Sequence, residues 1–349
     1  MTAPGSFAAG TEDRVQGRAG MRRVSPMSRL LGARETGVFI AFLVLCAFLA
    51  LTTDSFLTLS NLLNVGRQVS LLGIMAIGMT FVLISGEIDL SIGATYALSG
   101  LAAGMLITMG WNVAPAIAAG LCLGMLVGLV NGLLSTYGRL PSLIATLGMM
   151  SVIRGIALLM TDGQPVTVNV RNGADPGVLE TFLALGQGRV ADLVPMQLVF
   201  FILAALLGWA LLSRTSFGFR IFAVGGSPKA ARVSGIDVNA VKIWAFVVMG
   251  CLAAAAGILS MAFLPSGQAG RTGVGLELDV IAAVVVGGAS LAGGSGSILG
   301  TVLGVLMIGV LRNGLVLSGV SPFTQEVMIG LVIIIAVAID RWSIRCTRG

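Results

Sequence analysis

A chain of 349 residues, 56% hydrophobic and only 10% charged, has too little polar material to cover a soluble fold of its size. It contains no histidine, which excludes His-ligated metals and histidine general bases, and its net charge of +6 lies at the flanks of apolar runs rather than in a nucleic-acid-binding patch. With a mean hydropathy of +0.99 and repeated apolar runs of spanning length, the pattern predicts an all-α polytopic membrane helix bundle, not an outer-membrane barrel.

In chain order, residues 1–36 are rich in Gly, Ser and Arg and are expected to form a flexible cytoplasmic tail. Arg22 and Arg23 do not make this tail a twin-arginine signal, because no convincing cleavage site follows the next apolar run and many spans come after it. Residues 37–340 form the predicted membrane domain. Its apolar runs cover 37–52, 61–84, 92–109, 113–134, 143–160, 194–212, 241–264, 278–286, 298–317 and 327–339, about ten transmembrane helices. A tail over 341–349 follows, with Arg341, Arg345 and Arg348 at or beside it.

Three segments between the runs fix the expected orientation. The acidic stretch 161–192 carries Asp162, Asp175, Glu180 and Asp192 against Arg171 and Arg189. The stretch 214–237 carries Arg214, Arg220, Lys229 and Arg232 against Asp237. Counting from an internal N-terminus places Arg139, 214–237 and the C-terminal tail inside and 161–192 outside, as the excess of Lys and Arg in cytoplasmic loops requires. Within 214–237, Ser227 is a good N-cap, Pro228 suits the first helical position and Gly235 can stop the helix. A helix of about two turns is marginal in water, so it is expected to hold its shape by docking on a partner.

Two apolar stretches are interrupted, at 85–91 and at 287–296. Paired interruptions are a sequence pointer to a translocation path. The path or gate candidates are Glu87, Asp89, Ser91, Gly287, Gly288, Ser290, Gly293 and Gly294, with Asn131 and Asn313. Glu87 and Asp89 fit either a gate or an ordinary acidic loop at the bilayer surface, with Asp89 capping the next helix. The glycine-rich run is not a phosphate loop, since no Gly-Lys pair occurs anywhere; it predicts a tight re-entrant turn. Weak repetition points to two related halves: Gly128, Asn131, Gly132, Leu133 and Pro141 match Gly309, Asn313, Gly314, Leu315 and Pro322. Glycines four apart at 120, 124 and 128, and at 300 and 304, permit close helix approach within one chain or between subunits. Arg154 and Arg312 either snorkel to an interface or line a polar path. Cys46, Cys122, Cys251 and Cys346 form no CxxC pair and read as small packing residues.

Four stretches, SGEIDLSIGA (85–94), PSLIATLGMMSVIRGIAL (141–158), GFRIFAVGGSPKAARVSGI (218–236) and GGASLAGGSGSILGTVLGVLMIGVLRNGL (287–315), occur in an order that resembles the permease subunits of bacterial ABC importers of ribose, xylose, galactose and rhamnose. The resemblance implies a multi-pass protein of the bacterial inner membrane with both termini cytoplasmic. It implies two cytoplasmic ATPase subunits, a periplasmic sugar-binding protein and a second permease copy or homologue as partners. It also implies that 218–236 contains a coupling helix, with Ser227, Pro228, Lys229, Ala230, Ala231, Arg232 and Gly235 in contact with the ATPase. Such a subunit is not an enzyme and needs no cofactor, because ATP is used by its partner. The family commonly has Asn at the position of Ser227, an acid at that of Lys229 and glycine at that of Glu87. Other expectations to weigh are a permease for branched-chain amino acids, a stand-alone secondary transporter and a membrane enzyme. A secondary transporter normally places paired ionisable groups in its helices, and the candidates here are few. An enzyme would need a nucleophile–base or metal constellation, which the sequence lacks.

Overall fold

The computed structural model describes residues 33–321, 323–331 and 334. The expected tails over 1–36 and 341–349 lie outside these residues, apart from 33–36, and so does most of the last predicted span. Helix α1, Ala33–Thr52, begins within the predicted tail. Then come α2, Leu59–Ile84, α3, Ile92–Thr108, α4, Val113–Thr136, and α5, Ser142–Thr161. The extramembranous stretch holds β1, Val166–Thr167, α6, Pro176–Gln187, β2, Arg189–Val190, and β3, Val194–Pro195. Helix α7, Met196–Arg214, leads to two short helices, α8, Ser216–Gly226, and α9, Pro228–Val233. After these come α10, Val238–Phe263, β4, Ser266–Gly267, α11, Leu276–Val286, and α12, Ile298–Leu317. Residues 323–331 are helical again. Among the described residues the bundle is all-α apart from two small antiparallel pairs, β1 with β4 and β2 with β3.

Six of these helices, α2, α4, α5, α7, α10 and α12, are long and apolar enough to cross a membrane; Thr36–Thr52 of α1 and the whole of α3 are apolar but shorter segments. Helix α11 has 11 residues, which at ~1.5 Å per residue spans about half of a ~30 Å hydrocarbon core. It reaches the glycine-rich run part-way through the bundle. The core is built where α2 and α10 run side by side with α3. From Gly73 to Ile84 every residue of α2 is buried. The facing part of α10 is rich in alanine and glycine, so backbones approach closely: a Cβ on Gly124 of α4 would lie 2.5 Å from the Cβ of Ala254. Gly120, Gly124 and Gly128 all face inward, and Gly300 and Gly304 pack on α11, so both glycine series serve packing within this chain. Cys122 is exposed on α4, and Cys46 and Cys251 are half-buried.

Two elements depart from the sequence reading. The stretch 214–237 holds two helices rather than one. Thr215 caps α8 by accepting from the Gly218 N–H at 3.3 Å, and Ile221 and Val224 of α8 are fully buried on the core. That cap and the spacing of Phe217, Ile221 and Val224 were the available signal. In 161–192, Asp175 caps α6 by accepting from the Gly177 and Val178 N–H groups at 2.9 and 3.1 Å, with Pro176 at its first position. Phe182 of α6 is fully buried, and Gly186 lies against the backbone of Ala262 and Phe263 at the end of α10. The molecule thus has one end carrying α8 and α9 and an opposite end carrying α6.

The matched asparagines sit at opposite ends of α2. Asn131 lies beside the segment that follows its C-terminus, and Asn313 bonds to Asn61 in its first turn. Over 26 residues that is a separation of roughly 39 Å, at ~1.5 Å rise per residue. The two halves therefore place equivalent residues at opposite faces, as inverted repeats do. Asn61 and Asn313 are buried and exchange amide hydrogen bonds of 3.0 and 2.8 Å. Removing one partner strands a buried amide at a cost of about 1–3 kcal/mol, whereas replacing both with apolar groups is nearly neutral. We expect Asn313→Leu to lower the thermal stability of the detergent-solubilised protein, and Asn61→Leu with Asn313→Leu to recover much of the loss. A double variant no more stable than the single one would contradict this account.

Candidate functional site

Residues 85–91 form an irregular passage from α2 to α3, in which Ser85, Asp89 and Ser91 are buried. Inside a membrane protein such a backbone is stable only if its polar groups find partners. Here they do. The N–H groups of Gly86 and Glu87 bond back to Leu83 and Val82. Those of Ile88 and Leu90 donate to Ser142 Oγ and Thr146 Oγ1 of α5, at 3.2 and 3.0 Å. Ser91 N–H donates to Asp89 Oδ1 at 2.8 Å. The start of α5 is therefore a scaffold for the break.

Asp89 is 2% exposed, so it belongs to no surface loop. Its carboxylate accepts from the Ser91 hydroxyl at 2.7 Å and the Asn131 amide at 3.4 Å, and Asn131 also donates to Ser91 Oγ at 2.7 Å. Three of the sequence-selected residues thus form one buried polar cluster. Asn131 Oδ1, also buried, has no hydrogen-bond partner among the described residues. Glu87 forms an ion pair with Lys242 of α10, and both side chains are largely buried. The acid that departs from the family pattern is thereby neutralised by a residue from another helix.

The two interrupted stretches meet. Gly294 N–H donates to the Ile84 carbonyl at 2.9 Å, and a Cβ on Gly293 would lie 2.9 Å from Gly86 Cα. The end of α8 enters the same place: a Cβ on Gly225 would lie 2.5 Å from Gly294 N. One junction therefore joins the break after α2, the turn after α11 and the helix leading to α9. In that turn Ser290 N–H donates to the Ser295 carbonyl, and its hydroxyl accepts from Ala292 N–H. Gly288 follows the end of α11, and Gly287 packs on the Gly300 backbone. Asn313 is not part of this assembly; it lies at the α6 end with Asn61.

Two cavities lie toward the α6 end and are lined by residues that the sequence reading did not select for the path, Arg312 excepted. One, of about 390 Å³, is lined by Arg67, Gln68, Tyr96, Asp279 and Arg312 among others. A second, of about 730 Å³, lies beneath α6 and includes Ser60, Asn64 and Arg189. The signal for the first was polar side chains in apolar helices, above all Arg67, Gln68 and Asp279. Arg312 donates to Asp279 at 2.9 Å, so it lines a polar cavity. Arg154 caps the stretch before α11 by donating to the Ala269 and Thr272 carbonyls at 3.1 and 2.7 Å.

Helix α9 has the predicted form. Ser227 Oγ accepts from Ala230 N–H at 3.3 Å, Pro228 opens the helix and Gly235 takes a φ of +80°. Pro228, Lys229, Ala230 and Arg232 are exposed. Val233 is 91% exposed and Phe219 of α8 73%. Ala231 corrects the sequence reading: it is 4% exposed and packs on the chain's own core, so it offers no face to a partner.

A family model described as branched-chain amino acid transport system / permease component matches residues 61–337. The chain is 42% identical over 306 residues to the ribose import permease protein RbsC of Escherichia coli, covering 88% of this chain and 93% of that protein. It is 44% identical over 309 residues to the RbsC of Bacillus subtilis, with the same coverage of both. To the L-arabinose ABC transporter permease protein AraH of Azospirillum brasilense it is 38% identical over 311 residues, 88% of each chain. No solved structure matches. The matched segment takes in every element from α2 to α12, including the junction and both short helices, and on that breadth the chain belongs to the branched-chain amino acid transport system / permease component family.

Proposed function

We propose that this chain is the membrane-spanning permease of an ATP-driven importer of a monosaccharide, set in the inner membrane of a bacterium. The observation that carries the reading is the junction. It links the two interrupted stretches to a helix pair that ends in an exposed, basic and partly apolar knob. An exposed Val233 and Phe219 beside Arg220, Lys229 and Arg232 fit a protein partner better than solvent. An ATPase docked there would move α8, and through Gly225 the junction itself. Relatives named for ribose and arabinose import favour a sugar over a branched-chain amino acid.

In this reading α8 and α9 are cytoplasmic and α6 is periplasmic, which agrees with the basic and acidic balance of the two segments. These two cavities then open toward the periplasm, where a sugar-binding protein delivers its load, and the junction closes the cytoplasmic side. A second permease copy or homologue completes the path. The reading is tested by expressing the chain with its ATPase and measuring ATP-dependent sugar uptake into vesicles. Copurification of the ATPase and uptake that stops on its removal are expected; uptake without it would favour a secondary transporter.

Sidedness has its own test. With the natural cysteines replaced, a cysteine at Asp175 is expected to react with an impermeant maleimide in intact cells, and one at Lys229 only after lysis. The opposite pattern would invert the assigned orientation.

A further inference from the structure

We propose that a groove of about 320 Å³ on the side of the bundle, between α2, α7 and α10, binds one anionic phospholipid, with an acyl chain in the groove and the phosphate at Arg214. Its walls include Phe200, Leu207 and Leu211 of α7, Val248 and Leu252 of α10 and Phe81 of α2, and no charged, hydroxyl or amide side chain lines it. Leu207 is 62% exposed, so the groove opens sideways, where the bilayer lies. Along α7 its wall runs from Phe200 to Leu211, roughly 16 Å at ~1.5 Å per residue. That is about half of a ~30 Å hydrocarbon core, the depth of one leaflet. Leu211 lies one turn from the end of α7, which places the groove in the leaflet at the α8 and α9 end.

The charge at that end selects the lipid. Arg214 closes α7 one turn beyond Leu211 on the same stripe, and Arg220 follows on α8. Both are exposed, and neither has a carboxylate partner among the described residues. The Arg214 guanidinium lies over the Trp209 ring, 5.1 Å from its centroid. Stacked in this way it keeps its in-plane N–H groups free to donate, and phosphate is the acceptor that a membrane interface offers. A cytoplasmic leaflet is negative through its anionic lipids, which adds attraction for both arginines. A second copy of this chain fits the face less well. A two-fold axis along the membrane normal would bring the two Arg214 residues to one depth, like charge against like. A lipid here also bears on the coupling path. Phe81, fully buried at the floor of the groove, stacks on Phe217 of α8 with ring centroids 6.1 Å apart. An acyl chain above it holds Phe81 against α8, the helix that reaches the junction through Gly225. This consequence, unlike the binding itself, rests on the importer reading.

The binding test uses the full chain in detergent, stripped of lipid and titrated with phosphatidylglycerol or phosphatidylcholine of identical acyl chains, with native mass spectrometry as the readout. Phosphatidylglycerol is expected to bind about tenfold more tightly, the factor equivalent to one net hydrogen bond to a charged group. Arg214→Gln is expected to remove that preference and Arg214→Lys to keep part of it. Leu207→Trp, at an exposed position that tolerates a larger side chain, is expected to fill the groove and weaken both lipids. Equal affinity of the wild type for the two lipids, an unchanged preference in Arg214→Gln, or unchanged binding in Leu207→Trp would each overturn the site. A stripped protein that is dimeric, and that Leu207→Trp turns monomeric, would assign the face to a second copy and overturn it as well. A second arm places the assembled importer in vesicles of phosphatidylcholine alone and of phosphatidylcholine mixed with phosphatidylglycerol. Sugar uptake is expected to rise with phosphatidylglycerol in the wild type and not in Arg214→Gln, with the ATPase still captured by both. Wild-type uptake that ignores the lipid overturns the link from the groove to α8. A complex that imports no sugar in either vesicle counts against the importer reading instead, and the binding arm still decides the lipid site.

Discussion

Replacing Gly225 with valine is expected to abolish sugar uptake while the protein still reaches the membrane. A side chain at this position points into the junction, 2.5 Å from Gly294 N and 2.9 Å from the Ile84 carbonyl carbon. These neighbours are backbone, so they cannot rotate away. Overpacking in such a place costs about 1–3 kcal/mol, and here it also breaks the 2.9 Å hydrogen bond from Gly294 to Ile84. Gly294→Leu is expected to act in the same way for two reasons. Gly294 has a φ of +72°, which costs a non-glycine residue about 1–2 kcal/mol, and its Cβ would lie 2.8 Å from Gly226 Cα. Gly226 is the control, because a Cβ there meets nothing within 4 Å. Gly226→Ala should retain uptake. The measurement is labelled-sugar uptake normalised to membrane protein; near-normal uptake by Gly225→Val would show that the three segments do not act as one unit.

Exposed and buried residues of α9 should behave differently when enlarged or charged. Val233→Glu and Ala230→Trp change only the outer face of α9, so both variants are expected to insert normally, lose capture of the ATPase and stop importing sugar. Hot-spot truncations or charge insertions at a docked face typically cost 2 kcal/mol or more, about a thirtyfold loss of affinity. Ala231→Trp should instead reduce the amount of folded permease, because Ala231 is 4% exposed and its carbonyl accepts the Ile236 N–H at 3.0 Å. The readouts are ATPase pull-down and membrane protein level for each variant. Intact capture by both Val233→Glu and Ala230→Trp would remove α9 as the coupling element.

Much of the architecture was legible because a bilayer imposes simple rules. Apolar runs of spanning length give helices, and Lys and Arg mark one set of loops. Local chemistry was equally readable: Ser227, Pro228 and Gly235 set the limits of α9, and the glycine-rich run does turn between α11 and α12. Helices α6 and α8 carried the same kind of signal, in Asp175–Pro176 and Thr215, but their short apolar faces are weaker than a span. The selection of Asp89, Ser91 and Asn131 found residues that share a cluster, although 40 residues of sequence separate two of them.

Sequence alone thus determined the membrane class, the run of helices and the caps, since each depends on residues near one another in the chain. What only the tertiary structure decided is which distant residues meet. Gly86, Gly225 and Gly293 converge because the break after α2, the end of α8 and the turn after α11 meet at one place, and no local pattern records that. Asn313 was grouped with Asn131 by repetition, yet the two lie at opposite ends of α2 because the halves run in opposite directions. Ala231 was chosen for its small size, and packing turned it inward. The cavity that faces Arg67, Gln68 and Asp279 exists because several helices leave a gap between them, and a gap has no sequence of its own.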